Sequence, residues 1–472
     1  MSGLNFLSVD EITAGLRAGK FQVIDIVQAH LKNISRLEPQ LKAFTHLNEP
    51  RALAQARQAD AARHAGEAVG ALHGVPVTVK SCIDVAGWPC PAGSQLRRDN
   101  IPATDAPLVA RLRSAGAILL GNTNTPENLM HYETDNALRG ASGNRTSNPW
   151  NIAHSAGGSS GGEAAAIAAG CSVAGVGSDG GGSIRVPAHF CGICGLKPTP
   201  GRIPGTRHFP PSAGAFPWLG VVGPMARSVA DVRALFEVLS GPDTGDTLSS
   251  PVVARVFRSE DLRGMRIGLL ENSGLGAHTP ETDAAVQKAG RLLAARGFSV
   301  ELFQLGELSR ALELWWFFFG RMVAHLFRAG IGAREEPQLS AQFREYLAVA
   351  GADPMPTVDD LLGACTERDG LRTDILRKMG DVPVLLSPVA AAPAFRHGEG
   401  TWRGANGYRE TMRASQWLNL VGFPGISVPM AFSAAGLPIG VQLVGRPYEE
   451  ELLLEVAGIL EEGRGEWPAP NI

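Results

Sequence analysis

Two serines sit in glycine-rich turns, and a lysine ends an apolar run well upstream of both. The first turn reads Ala156-Gly-Gly-Ser-Ser-Gly-Gly-Glu163, the second Ser178-Asp-Gly-Gly-Gly-Ser-Ile-Arg185, and Lys80 follows Val75-Pro-Val-Thr-Val79. Glycine tolerates backbone angles other residues avoid, so main-chain N–H groups can converge on one point beside each serine. Such a point can hold a developing oxyanion. A serine there is a candidate nucleophile, but it needs a base. A lysine can be that base if burial lowers its pKa enough to keep it neutral. The chemistry this set suggests is acyl transfer.

The elements that must position these groups alternate between helix and strand. Residues 8–65 read as helical, opened by the capping-box pattern Ser8-Val9-Asp10-Glu11. Short apolar runs predict strands over Val75–Val79, Ala117–Leu120, Ser172–Val176, Met265–Leu270, Phe298–Phe303, Val382–Leu386 and Gly425–Pro429. Helices are expected over Leu108–Ala115, Glu163–Ala169 directly behind the first glycine turn, Glu281–Ala295 and Glu449–Glu462. Residues 199–224, rich in Gly and Pro, are expected to be an ordered loop. The alternation predicts an α/β architecture. With no repeat or clear linker, residues 1–472 read as a single domain. Its parts are a helical region over 1–70, a core over 72–230 carrying Lys80, Ser159 and Ser183, and the rest of the sheet and helices over 231–472, with a helical insert over 311–350 near the pocket.

Composition narrows the function classes. Hydrophobic residues make up 44% and charged residues 19% of the 472-residue chain, as in a globular protein with a large core. A net charge of −3 gives no basic footprint for nucleic acid or an acidic membrane. The N-terminus has no basic start followed by a long apolar stretch, and no apolar run is long enough to span a bilayer. A cytoplasmic enzyme, monomer or homodimer, is the expectation. The six scattered cysteines do not form a small-protein disulfide framework, and Cys191-Gly-Ile-Cys194 lacks the second ligand pair a zinc site needs. No metal and no cofactor is expected.

Competing motifs are weaker. Gly175-Val-Gly-Ser-Asp-Gly180 matches a dinucleotide-binding turn, but no Asp or Glu occurs from Gly180 through Ala230 to hold a ribose. The first turn lacks the Gly-Lys-Ser/Thr ending of a phosphate loop. Gly158-Ser-Ser-Gly-Gly162 also fits the nucleophile elbow, with Ser160 as nucleophile. That motif needs a strand just before it, and Asn151-Ile-Ala-His-Ser155 makes a poor one.

Taken together, the motifs resemble the amidase signature family. The resemblance rests on Gly74-Val-Pro-Val-Thr-Val-Lys80, Gly157-Gly-Ser-Ser-Gly-Gly162 and Asp179-Gly-Gly-Gly-Ser-Ile-Arg185. It continues in Asn148-Pro-Trp150, Gly223-Pro-Met-Ala-Arg-Ser228, Gly422-Phe-Pro-Gly-Ile-Ser-Val-Pro429 and Gly436-Leu-Pro-Ile-Gly-Val-Gln442. The run Phe190-Cys-Gly-Ile-Cys-Gly-Leu-Lys-Pro-Thr199 is similar to the fatty-acid amide hydrolase branch in particular. The resemblance implies a mixed, twisted β-sheet sandwiched between helices. It also implies a Ser-Ser-Lys triad, with Ser183 as nucleophile, Ser159 as bridging serine behind a cis Gly158–Ser159 peptide, and Lys80 as base. The N–H groups of Gly180, Gly181, Gly182 and Ser183 would form the oxyanion hole. Asp179 and Arg185 would support that loop, and Ser160 and Ser94 would hydrogen-bond around Lys80.

What the family resemblance implies for function is hydrolysis of a small-molecule amide through a Ser183 acyl-enzyme. The alternative is the glutaminase component of a tRNA amidotransferase, which delivers ammonia from glutamine. That component carries an Asp seven residues before the Asn of its Asn-x-x-Gly-x-Pro run, and counting back from Asn419 gives Met412 here. It also has Thr where this chain has Gly180. An apolar acyl or aryl amide is therefore the expected substrate, with esters or carbamates also open. Leu129 and Met130, in the region where the fatty-acid branch lines its acyl pocket, are the leading pocket candidates. Trp218, Met412 and Trp316, from the aromatic run 315–319, are the others.

Overall fold

The apolar runs become neighbours in one mixed sheet. The protein is described from a computed structural model covering residues 3–138, 143–211, 216–270, 274–306, 308–332 and 335–472. Its strands are β1 (Phe44–Leu47), β2 (Pro76–Lys80), β3 (Ile118–Thr123), β4 (Ser147–Asn148), β5 (Asn151–Ser155), β6 (Ala174–Asp179), β7 (Cys194–Lys197), β8 (Val221–Ala226), β9 (Arg266–Leu270), β10 (Ser299–Phe303), β11 (Val384–Pro388), β12 (Gly425–Phe432) and β13 (Pro438–Gly445). Eleven of them form a single sheet in the order β1-β3-β2-β6-β8-β7-β12-β13-β11-β9-β10, so both halves of the chain contribute to it. β4 and β5 pair separately.

β2 runs parallel to β3 on one side and β6 on the other, with Val77 opposite Ala174 and Val79 opposite Val176. Helices cover both faces there, so all five β2 residues are buried, as their apolar run requires. Parallel pairing brings the carboxyl ends of β2 and β6 together. Lys80 ends the first, and the second opens into the Asp179–Ser183 turn. Ligand sites in α/β sheets form at such carboxyl ends. The Ser8–Glu11 capping box is present: Glu11 N–H donates to Ser8 Oγ at 3.2 Å, and Ser8 N–H donates to the Glu11 carboxylate at 2.8 Å. Among the described residues no helix is long and apolar enough to cross a membrane.

Several expectations need correction. The 8–65 region is not wholly helical, because β1 interrupts it between helices Val23–Leu41 and Glu49–His64. Phe44 is buried against the sheet edge, and pairing with β3 overrides local propensity. Asn151–Ser155 is a strand after all, but in the small side sheet, where Ile152 and Ala153 are exposed and the polar His154 and Ser155 are buried. The expected loop 199–224 contains helix Phe216–Leu219 and the start of β8, and 212–215 lie outside the described residues. The aromatic segment is helical over Ser309–Ala329, with a π-helical turn at Trp316–Met322, and Ala341–Ala350 is a further helix.

Candidate active site

The two glycine turns and the β2 end close on one another. Ser160 N–H donates to the Ser183 carbonyl at 3.1 Å, tying the turns together. Thr125 Oγ1 donates to the Ser159 carbonyl at 2.8 Å, and the Gly158–Ser159 peptide is cis. Fully buried Lys80 places Nζ 2.6 Å from Ser159 Oγ and 3.0 Å from both Ser160 Oγ and Ser178 Oγ. Burial lowers its pKa from 10.5 to about 8, against the weaker opposing pull of Cys82, Asp179 and Glu163. A lysine so placed has a neutral minority near physiological pH that an exposed lysine lacks.

Ser94 is not part of this cluster. Its hydroxyl donates to Glu127 Oε1 at 2.8 Å, bracing the turn that carries Leu129 rather than Lys80. Ser178, which opens the second glycine turn but is not among the expected site residues, takes the third place beside Lys80 Nζ. The strand that an elbow at Ser160 needs is present as β5, but the Ser160 hydroxyl lies 3.0 Å from Lys80 Nζ, donates to the Ser178 carbonyl at 3.2 Å and does not line the cavity.

The loop from Asp179 to Ser183 is anchored through its carbonyls. Asn419 Nδ2 donates to the Asp179 carbonyl at 3.0 Å, Trp315 Nε1 to the Gly180 carbonyl at 2.9 Å, and Tyr132 to the Gly181 carbonyl. In a trans peptide the N–H of the next residue points the opposite way. These anchors therefore fix the directions of the Gly180, Gly181 and Gly182 N–H groups. Gly182 lies at φ +116°, where a side chain would be strained, and its N–H donates to Asp179 Oδ1 at 2.7 Å. That corrects the expected four-donor hole. Gly180, Gly181 and Ser183 keep N–H groups with no acceptor among the described residues, and Gly182 serves the loop's own structure.

Asp179 and Arg185 support the loop from beneath, both fully buried. Two charge-assisted bonds of 3.0 Å join them, and Arg185 reaches Asn419 Oδ1 at 2.7 Å and Gln442 Oε1 at 2.9 Å. Burial pushes the Asp179 pKa up, but the Arg185 guanidinium overrides it and holds the carboxyl well below its usual range. Arg185→Leu leaves a buried carboxylate without its cation, and we expect a loss of about 3–5 kcal/mol. Urea unfolding would read this as a lower midpoint at unchanged slope. The double change with Asp179→Asn should recover part of the loss.

Ser159 and Ser183 line one cavity with Leu129, Met130, His208, Phe216 and Phe319. It encloses about 20 Å³, room for roughly one water. Asn128 and Leu129 both have positive φ (51° and 68°), a strained backbone that presents the Leu129–Met130 wall. Three expected pocket residues lie elsewhere. Trp316 packs against Trp402 and under Arg409, at a separate charged cleft. Trp218 packs on Phe318 under Arg368, and Met412 is buried where helix Arg413–Val421 begins. The aromatic run reaches the cavity through Phe319, and Phe319 lies so close over Gly180 that a Cβ there would meet its Cε2 at 2.7 Å.

No sequence pattern points to His208. Its Nδ1 lies 3.1 Å from the Pro210 carbonyl, which can only accept, so Nδ1 carries the proton and Nε2 faces Cys82 Sγ at 3.4 Å. Burial lowers its pKa to about 4, keeping the imidazole neutral. Cys191 and Cys194 direct their thiols to the Ala156 carbonyl and to Glu461. Among the described residues no group of three or more His, Cys, Asp or Glu is arranged to hold a metal.

Known proteins share this arrangement of chain. The Amidase family model matches residues 25–454. A glutamyl-tRNA(Gln) amidotransferase component from Synechococcus sp. (strain CC9605) is 36% identical over 478 residues, spanning 95% of this chain and 94% of its own. The acylamidase of Rhodococcus erythropolis is 33% identical over 481 residues, spanning 98% and 96%. The structure of 6-aminohexanoate cyclic dimer hydrolase complexed with substrate superposes with a TM-score of 0.85 at 27% identity, covering 98% of each chain. A family match running from residue 25 to 454, with relatives of this similarity along nearly the whole length, makes the chain a member of the Amidase family.

Proposed function

We propose that this protein hydrolyses the C–N bond of an apolar acyl or aryl amide through a Ser183 acyl-enzyme. The observation that carries this is the buried Lys80 Nζ at 2.6 Å from Ser159 Oγ, beside a cavity that Ser159 shares with Ser183. Neutral Lys80 takes a proton from Ser159 as Ser159 takes one from Ser183, and Ser183 Oγ attacks the carbonyl carbon. The tetrahedral oxyanion is held by the N–H groups of Gly180, Gly181 and Ser183. Ser159 returns its proton to the departing nitrogen, which leaves as an amine, and is itself reprotonated from Lys80. Water then attacks the acyl-enzyme by the same proton route, restoring Ser183 and releasing the acid.

The apolar preference is supported by the Leu129, Met130, Phe216 and Phe319 walls. The second reading, a glutamine-hydrolysing component of a tRNA amidotransferase, is favoured by the 36% identity to the Synechococcus protein. Against it stands Met412, buried among apolar side chains where such a component would need a carboxylate. The purified chain, assayed alone across acyl and aryl amides of graded length, should hydrolyse at least one with a higher kcat/KM than glutamine. Glutamine turnover seen only with charged tRNA and a partner protein would reverse the order of the two readings.

A further inference from the structure

The anchor on the Gly180 carbonyl comes from a helix 135 residues further along the chain. Trp315 is buried, and its ring stacks on Phe319 with centroids 4.8 Å apart and planes 15° from parallel. The two residues stand four apart on one helix face, and both press on the loop. A Cβ at Gly181 would meet Trp315 Cζ2 at 2.4 Å, as one at Gly180 would meet Phe319. The indole is therefore in direct contact with two of the three residues whose N–H groups are open. Its own N–H fixes the peptide plane whose other end is the Gly181 N–H.

We propose that Trp315 is a positioning residue for the oxyanion loop. By holding the Gly180 carbonyl it aims the Gly181 N–H at the oxygen of a carbonyl attacked by Ser183. This rests on the acyl-transfer mechanism above. Donors preset toward a developing charge act mainly on the transition state, so the contribution belongs in kcat rather than KM.

The test is Trp315→Phe, which keeps a ring and removes the N–H. With the best amide found in the screen, kcat should fall roughly 10- to 100-fold, less than the full loss of a donor, with KM nearly unchanged. Affinity for a trifluoromethyl ketone analogue of that substrate, which forms a tetrahedral adduct, should fall by a similar factor. Trp316→Phe, which keeps a ring against Trp315 and removes no hydrogen bond to the loop, should leave kcat as it was. If Trp315→Phe fails to fold, benzothienylalanine at position 315 gives the same shape without the donor and should reproduce the kcat loss. Unchanged kcat and analogue affinity in a folded variant, or a change confined to KM, overturns the proposal. A fluorophosphonate probe on the wild type separates the two levels. Labelling of Ser183 together with an indifferent Trp315→Phe defeats only the positioning role, whereas no labelling of Ser183 defeats the acyl-enzyme itself.

Discussion

Ser183→Ala is expected to reduce amide turnover by about 10⁵- to 10⁶-fold, as losing the nucleophile of a concerted set does. Ser160→Ala should be far milder. Ser160 is one of three hydroxyls around Lys80, each within 3.0 Å, and it lies outside the cavity lining. Removing one such hydrogen bond is worth about 1 kcal/mol, or about tenfold or less in rate. A fluorophosphonate should attach to Ser183, read by peptide mass. Attachment to Ser160 instead would make the elbow serine the nucleophile and leave the Lys80–Ser159 contact without a catalytic role.

Lys80→Ala should cost about 10²- to 10⁴-fold, the range of a general base. The wild type should also show a characteristic pH limb. A lysine pKa lowered to about 8 by burial means that the charged form dominates below that pH. Only the neutral form can accept the Ser159 proton, so kcat/KM should climb about tenfold per unit up to pH 8 and then level. The limb must vanish in Lys80→Ala. Full activity of that variant at neutral pH would remove Lys80 from the proton route.

The parts of the site that are legible in the sequence are those encoded by short contiguous runs. Glycine turns around Ser159 and Ser183, and an apolar strand ending in Lys80, announce themselves because each needs only its own neighbours. The strands of the sheet are legible for the same reason, from buried runs such as Val75–Val79. The groups that aim the loop are not. Trp315, Tyr132 and Asn419 reach the loop carbonyls through hydrogen bonds made across 135, 49 and 240 residues, and no local pattern carries such a contact. In the aromatic run every position is apolar, so the sequence cannot reveal which face turns inward, and it points to Trp316 where Phe319 belongs. Ser94 is misplaced by sequence reasoning because its hydroxyl is captured by Glu127, a contact set by the strained turn at Asn128–Leu129. The polar residues of β5 argue against a strand, but in this two-stranded ribbon burial does not follow polarity: Ile152 and Ala153 are exposed, while His154 and Ser155 are buried.

The contact between Gly180 and Phe319 constrains how this enzyme can change over generations. A side chain at position 180 has no room while the ring is in place, and the ring cannot easily swing aside because Trp315 holds it in a stack. Mutational routes to a reshaped pocket therefore have a direction. Shortening residue 319 must come first, since the reverse order passes through an intermediate with a clash at Gly180. Once a larger residue has settled at 180, the aromatic ring cannot return without undoing that step. The pair behaves as a ratchet, and lineages that turn it would diverge in substrate range while keeping Lys80, Ser159 and Ser183 untouched.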